Sequence, residues 1–369
     1  MCKENRMKKI IYRLLVCANI ILIALMLVTG YAGCINPAHH PYLSLIGFAF
    51  PAFLLANVFF LVAWVIIRPL YAIVPVAGLL LAYSPVRTYA PVNISQNPPE
   101  GALKVLSYNV LYFNSDNLPS DVPNPILKYL IASEADIICL QEYYELKGQD
   151  SLLNEMDRIY PHKALMASDG YVSAGGAWLA VYSKYPITEK KRIEMTTRGN
   201  TLGVFTVDIN GKPVHVINAH LETVGLSKEE KTQFSEIVHG QTDRDGMKSR
   251  TRNLMEKLAV SARIRGPQAD RINEYIEQHE GEQIIFCGDI NDHPLSYVHR
   301  TISQNLTDCY RETGFMPGYS FEYHSMYVRI DHIMCSDHFT PYSCVVDKSI
   351  RESDHYPIYC YLKAQDSAD

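Results

Sequence analysis

Six short polar clusters in this chain each close an apolar, strand-like segment. They are Asn109 in LSYNV, Glu142 in IICLQE, His220 in NAHLE, Asp289 and Asn291 in GDIND, Asp331 in RIDHI, and Asp354 with His355 in SDHYP. Carboxylates, carboxamides and imidazoles therefore fall where β strands should stop. A buried sheet that directs such groups to one rim makes a site suited to metal-assisted phosphoester hydrolysis.

Each group suits a task. Glu142 is a hard oxygen ligand, and Mg²⁺ takes one or two carboxylates together with waters and phosphate oxygens. Read alone, it would cap the following helix. Asn109 offers a carboxamide to a phosphate or to the metal shell, although Asn at a strand end is also a turn residue. Gly288 lets the backbone turn close to a ligand. Asp289 and Asn291 are two residues apart and share a face of extended chain. The carboxylate can orient or deprotonate water while the carboxamide holds a phosphoryl oxygen. Asp331 paired with His355 would fix the imidazole tautomer and raise the basicity of its other nitrogen. His355 can then stabilise or protonate the phosphoryl group, with Asp354 supporting the metal or the water. Alternation puts Asn218 and His220 on one face of their strand and His215 on the other. His293, His299, His324, Asp337 and His338 read as surface loop residues.

Strands and helices must alternate to position these groups. Leu103–Val110, Asp136–Gln141, Gly176–Ser183, Thr201–Asp208, Pro213–Ala219, Ile284–Gly288, Arg329–Cys335, Tyr342–Val346 and Pro357–Leu362 read as strands. Asn210-Gly211 predicts a hairpin. Ile126–Ser133 and Met247–His279 read as helical, with Gly266-Pro267 kinking or dividing the second. The charged stretch Glu222–Met247 reads as an insertion beside the site. Hairpin-linked strands mixed with helix-linked ones argue for a mixed sheet or two stacked sheets with helices outside.

Residues 1–100 hold seven Lys/Arg against two Asp/Glu, a net +5 that leaves residues 101–369 at net −10. Leu14–Ala32, Tyr42–Ile67 and the proline-interrupted Pro69–Val86 are uncharged apolar runs apart from Arg68 between the last two. At about 1.5 Å per residue, such runs reach roughly 27–39 Å, enough for a hydrocarbon core of ~30 Å. Lys3, Arg6, Lys8, Lys9 and Arg13 predict a cytoplasmic N-terminus. Three crossings leave the rest of the chain on the outer side of a bacterial inner membrane; only two would leave it in the cytoplasm. Residues 1–34 also resemble a signal peptide ending at Cys34, but two further apolar runs follow. The organisation expected is a membrane region over 1–86, a linker over 87–101 and a catalytic domain over 102–369. Cys139, Cys287 and Cys335 read as small core residues. Cys309, Cys344 and Cys360 could pair in an oxidising compartment. No C-x-x-C spacing supports structural zinc.

These motifs, in this order, resemble the endonuclease/exonuclease/phosphatase superfamily over about residues 103–362. The resemblance implies a four-layer αββα sandwich of two mixed sheets. It implies Mg²⁺, or Mn²⁺, held by Glu142 with Asn109 and Asp354. It also implies water activated by Asp289, phosphate bound by Asn291 and Asn109, and His355 acting with Asp331. His220 is similar to the histidine of the DNase I-like and sphingomyelinase branches rather than to the tyrosine usual in abasic-site enzymes. Those branches pair that histidine with a carboxylate, and the sequence names none. Tyr185-Pro186-Ile187 after Ser183-Lys184 resembles a strand-end element of the superfamily.

The function expected is metal-dependent phosphoester hydrolysis, on nucleic acid or a phospholipid headgroup, by a domain tethered to the bilayer and without a protein partner. Net −10 argues against extensive non-specific duplex binding, although Arg250, Arg252, Arg263 and Arg265 could line a groove. A membrane-bound binding protein that kept the fold is the other class; loss of one of the six clusters would favour it, and none is lost.

Overall fold

Alternation of apolar residues decides the layers. In the computed structural model, residues 2–115, 117–119, 122–167, 178–227, 229–230, 232, 236, 244–323 and 326–365 are described. One six-stranded sheet contains β1 (Leu103–Asn109), β2 (Ile137–Tyr143), β3 (His162–Ala167), β4 (Trp178–Ser183), β13 (Phe339–Val346) and β14 (Ile358–Ala364), in the order β13-β14-β1-β2-β4-β3. The second contains β5 (Ile187–Arg192), β6 (Thr201–Ile209), β7 (Lys212–His220), β8 (Gln283–Asp289), β9 (Thr307–Asp308) and β12 (Asp331–Cys335), in the order β5-β6-β7-β8-β12-β9. A separate ribbon pairs β10 (Phe321–Tyr323) with β11 (Met326–Val328). Each large sheet is mixed: β1–β2 and β7–β8 are parallel, and the other pairs are antiparallel.

One core lies between the sheets, built from inward residues such as Val105, Cys139, Val181, Val216, Cys287, Ile333 and Cys360. The outward residues Leu106, Tyr108, Ile138 and Leu140 pack under the helices Pro125–Ala132 and Asp150–Ile159. On the other side, Val204, Ile217, Ile284 and Phe286 pack against Ala269, Ile272 and Ile276 of the helix Arg244–Gln278. Helix, sheet, sheet and helix are thus the four expected layers. Asn124 starts the first of these helices by accepting from the Ile126 and Leu127 N–H groups, and Pro125 at its first position needs no donor.

The helix Arg244–Gln278 runs through Pro267 as one element, so of the expected kink or division the division does not occur. Gly266 instead lets Pro37 of the N-terminal region pack closely: a Cβ there would meet Pro37 Cγ at 2.9 Å. Much of the stretch 222–247 lies outside the described residues. Cys309, Cys344 and Cys360 are buried with free thiols.

The N-terminal runs are helical. Arg6–Gly30 and Pro41–Ile67 are long and apolar enough to cross a membrane. Pro69–Leu81 and Tyr83–Tyr89 form a pair bent by 68°, the break falling after the proline-bearing segment. Tyr12, Trp64, Arg68 and Tyr71 meet at one end of this bundle. At the other end Met26, Phe50 and Ala82 cluster with Leu295 of the sheet region. Residues 87–101 do not hang free of the sheets. Asn93 donates to the carbonyls of Arg311 and Gly314 at 3.0 Å each, and Arg329 bonds the carbonyls of Thr88 and Tyr89.

Candidate active site

The inward row of each central strand is apolar along its length and turns polar at one end. In β1 it reads Leu103, Val105, Ser107, Asn109; in β7 Val214, Val216, Asn218, His220; in β8 Ile285, Cys287, Asp289. Register aligns these polar ends. His220 lies opposite Asp289 across the parallel β7–β8 ladder, and Asp289 lies opposite Asp331 across the antiparallel β8–β12 ladder. From the other sheet Asn109 donates its amide to Asp289 Oδ2 at 3.1 Å and to Glu142 Oε1 at 3.2 Å. Its carbonyl oxygen accepts from the Leu111 N–H.

Glu142 reaches the rim through a bulge. Strand β2 shifts register against β4 between Leu140 and Tyr143, and Glu142 adopts φ 50°. An extra residue in a strand re-aims the side chain it carries. Asn291, at φ 52°, donates its backbone N–H to Asp289 Oδ1 at 2.8 Å and its side-chain amide to the Leu221 carbonyl at 3.0 Å.

His355 arrives on the loop before β14. Its Nδ1 is 2.9 Å from Asp331 Oδ2, and its Nε2 is 3.6 Å from Asp289 Oδ2 and 4.0 Å from Asp354 Oδ1. Ser353 holds this loop, donating to the Asn109 carbonyl at 2.8 Å and accepting from the His355 N–H at 3.1 Å. His220 Nε2 is 3.7 Å from both Glu142 Oε1 and Asp289 Oδ2. All the residues singled out for chemistry in the sequence thus meet at one rim. Asn109, Asp289, Asp331, His220 and His355 are buried, while Glu142, Asn291 and Asp354 are half-buried on its open side.

Electrostatics divides the work. Burial pushes the Asp289 carboxyl up to about 6, with Asp331 adding repulsion while the charges of His355 and His220 pull the other way. Burial opposes charge on His355, yet the Asp331 and Asp289 carboxylates raise it to about 10. Burial holds His220 below its ordinary range despite Asp289 and Glu222. At neutral pH the rim therefore presents a proton-accepting carboxylate, an imidazolium and a neutral imidazole.

Beneath the rim lies a buried polar bridge that sequence reasoning missed. Gln141 donates to Asn218 Oδ1 at 2.8 Å and to Ser107 Oγ at 3.2 Å, and Asn218 donates to the Leu140 and Ala180 carbonyls. It ties the two sheets together immediately behind the polar ends of the inward rows. Ser107 and Asn218 precede Asn109 and His220 by one step of the same inward row, and that alternation was the available signal. Glu222, also unassigned from sequence, is buried and held by Arg198 and Thr197; it acts on His220 through its charge.

Several expectations are corrected. Gly288 serves a close strand approach rather than a ligand: a Cβ there would sit 2.4 Å from the Ala219 carbonyl oxygen. His293 and His299 are buried, not on the surface. His293 packs on Phe48 at 4.4 Å between ring centroids, and His299 bonds Asp308. Arg265 is fully buried against Asp292 and lines no groove. Asp337 is exposed and His338 half-exposed, whereas His324 lies outside the described residues.

The rim is rich in hard oxygen donors. Glu142, Asp289, Asp331 and Asp354 share the rim with a single imidazolium, and burial together with repulsion from Asp331 makes Asp289 resist ionisation. Such a donor set fits a hard divalent cation on the open side. His355 Nδ1 is taken by Asp331, which favours the carboxylates as ligands.

A search of curated proteins by sequence finds no match. By structure, the chain is similar to an endonuclease/exonuclease/phosphatase from Beutenbergia cavernae DSM 12333, at 17% identity over 71% of this chain and 72% of that one, with a TM-score of 0.52. It is also similar to the human Nocturnin catalytic domain with bound sulfate anion, at 17% identity over 74% of this chain and 97% of that one, with a TM-score of 0.51. At such identity the likeness shows the fold. A profile described as a domain of unknown function matches residues 12–89. The profile of the Endonuclease/Exonuclease/phosphatase family matches residues 106–355, from the middle of β1 to His355 itself, and with more than half of the chain matched this protein belongs to that family.

Proposed function

We propose that the protein is a divalent-metal-dependent phosphoester hydrolase anchored in a membrane, with residues 1–86 as anchor, 87–101 as connection and 102–369 as catalytic domain. Glu142 and Asp354 would hold Mg²⁺ or Mn²⁺, which when bound neutralises phosphoryl oxygens and templates an in-line displacement. Asp289 aligns the attacking water and takes its proton; a carboxyl near 6 is matched to that task at neutral pH. His355 donates from Nε2 to the phosphoryl or leaving oxygen, with Asp331 holding Nδ1. Neutral His220 and the Asn291 amide bind phosphoryl oxygens. Asn109 spends its amide on both carboxylates and positions them.

The observation that carries this reading is the convergence on Asp289 Oδ2, which lies 3.1 Å from Asn109 Nδ2, 3.6 Å from His355 Nε2 and 3.7 Å from His220 Nε2. The test uses the full chain in detergent with Mg²⁺ or Mn²⁺ against plasmid DNA, RNA, sphingomyelin, phosphatidylinositol lipids and inositol phosphates. Metal-dependent turnover lost in Asp289→Ala and His355→Ala supports the assignment. Equal activity in wild type and both variants defeats it.

A phospholipid headgroup is the favoured substrate. Two residues past Asn291, His293 packs on Phe48, and Leu295 joins Met26 and Phe50 at the end of the bundle. The segment that ends the catalytic row is thus seated on the membrane anchor. Val92, Phe315 and Met316 are exposed beside the end of the last membrane helix, where the Met316 N–H bonds the Pro91 carbonyl. Apolar side chains so placed suit an interface with lipid.

The bundle also supports an outer location. The basic N-terminal segment and Arg68 lie toward one end, and the sheets cover the other. By the positive-inside rule the covered end faces away from the cytoplasm.

A further inference from the structure

On the outer face of the second sheet, away from the catalytic rim, three buried side chains from three elements converge. His332 stands on β12, His299 on the helix Tyr297–Ile302, and Asp308 at the end of β9. One ligand atom of each lies within 4.8 Å of the others, and the two imidazole rings are 4.7 Å apart between centroids. Asp308 gives Oδ1 to the Tyr310 and Arg311 N–H groups, leaving Oδ2 to face His299 Nε2 at 2.9 Å.

His332 is the anomaly. It is fully buried, and neither ring nitrogen has a hydrogen-bond partner. The Arg329 carbonyl lies near enough to favour a ring N–H, but no bond of normal geometry forms. Leaving a buried polar group unpaired is costly, and the other imidazole of the cluster is paired. Burial holds His332 far below its usual range, with His299 adding to the effect, so the ring is neutral and its lone pair is available. Burial resists ionisation of Asp308, but the His299 bond and charge hold it well below the usual carboxylate range. Arg329 is engaged by the carbonyls of Thr88, Tyr89 and Pro317.

We propose that His299, Asp308 and His332 form a second, structural metal site for Zn²⁺ or a similar transition ion. Two imidazoles and a carboxylate suit such an ion and do not suit Mg²⁺. Ligand atoms of a tetrahedral Zn²⁺ site lie roughly 3.4 Å apart, so small side-chain rotations close the set. The Arg329 carbonyl is placed to accept the remaining His332 N–H, the usual support for a ligating histidine. A cavity of about 1290 Å³ between bundle and sheets, lined in part by His299, Asp308, Thr88 and Cys34, gives an entry path. The ion would staple three elements together directly behind Asp331.

The test measures zinc content and melting of the full chain in detergent, after chelator dialysis and reloading with Zn²⁺ in excess Mg²⁺. Wild type and E142Q/D289N, whose catalytic rim is disabled, are expected to retain one zinc per chain and to melt several degrees lower without it. H299Q/H332Q is expected to retain none. Failure of wild type to retain zinc, equal retention in H299Q/H332Q, or loss in E142Q/D289N would overturn the site. Should H299Q/H332Q not fold, zinc-edge X-ray absorption of E142Q/D289N decides: two imidazoles with a carboxylate oxygen support the site, and any other shell removes it.

Discussion

His355 Nδ1 and Asp331 Oδ2 lie 2.9 Å apart, joining the last loop of the chain to the first residue of β12. That contact leaves Nε2 directed at Asp289 and determines what the imidazole can do. Burial alone would strip its proton, and the two carboxylates outweigh burial and raise it to about 10. Folding therefore binds a proton that the unfolded chain releases near 6.5. The pair's contribution to stability is complete below the unfolded value and is lost as pH rises through about 10.

Asp331→Asn is expected to lower the His355 transition and to move the alkaline loss of activity to lower pH. NMR titration of the imidazole in metal-free protein measures the first, and the pH profile of kcat/KM measures the second. An imidazole that titrates unchanged in Asp331→Asn would mean that Asp289 alone holds the proton.

Asn109 joins the two sheets at the site by donating to Glu142 and Asp289 at once. Outer partners of ligating or catalytic groups are typically worth about 10–100-fold in metal affinity or activity. Asn109→Ala is expected to lose activity by that factor and to need more Mg²⁺, with Asn109→Asp failing as well because it adds a fifth carboxylate to the rim. Titration of kcat against Mg²⁺ checks both variants. Saturation at the wild-type Mg²⁺ level in Asn109→Ala would remove the link to metal.

Most of the rim was legible because a strand repeats every two residues. Once Val105 or Cys287 is known to face inward, Asn109 and Asp289 must face inward too. Glu142 escaped that logic, since its direction depends on a bulge that no pattern in IICLQE announces. The edge strands β3 and β5 escaped as well: HKALMA and ITEKKR bury little of either face and show no clean alternation. His299 looked like a surface loop residue and His332 drew no assignment, because their burial depends on the helix Tyr297–Ile302 closing over β12. Pro267 likewise lies inside one continuous helix, where Pro37 of the N-terminal region packs against Gly266.

Asp292 and Arg265 form a buried pair, Nε to Oδ2 at 3.3 Å, with the guanidinium fully enclosed. Removing one partner of such a pair strands a charge and costs about 3–5 kcal/mol. Asp292→Ala is therefore expected to lower the melting temperature by about 6–12 °C, taking ~3 kcal/mol and roughly 2–4 °C per kcal/mol. Arg265→Met with Asp292→Leu should recover much of the loss. Thermal melts of the three proteins in one detergent decide the matter, and a melting temperature in Asp292→Ala equal to wild type would show that the pair contributes nothing.

Cys34 and Arg68 mark opposite ends of the N-terminal helical bundle. Cys34 is exposed and lines the cavity against the sheets, while Arg68 stacks on Tyr12 beside the N-terminal basic segment. Cys139, Cys287, Cys309, Cys335, Cys344 and Cys360 are buried, and Cys17 lies within the first apolar helix. A thiol held in lipid does not ionise and reacts poorly with a water-borne maleimide. With Cys2 and Cys17 changed to Ser, a membrane-impermeant maleimide should label Cys34 in intact spheroplasts. In the same background with Cys34→Ser, Arg68→Cys should label only after permeabilisation. The reverse pattern would put the candidate site in the cytoplasm, with Pro69–Tyr89 still crossing and the basic N-terminal segment outside.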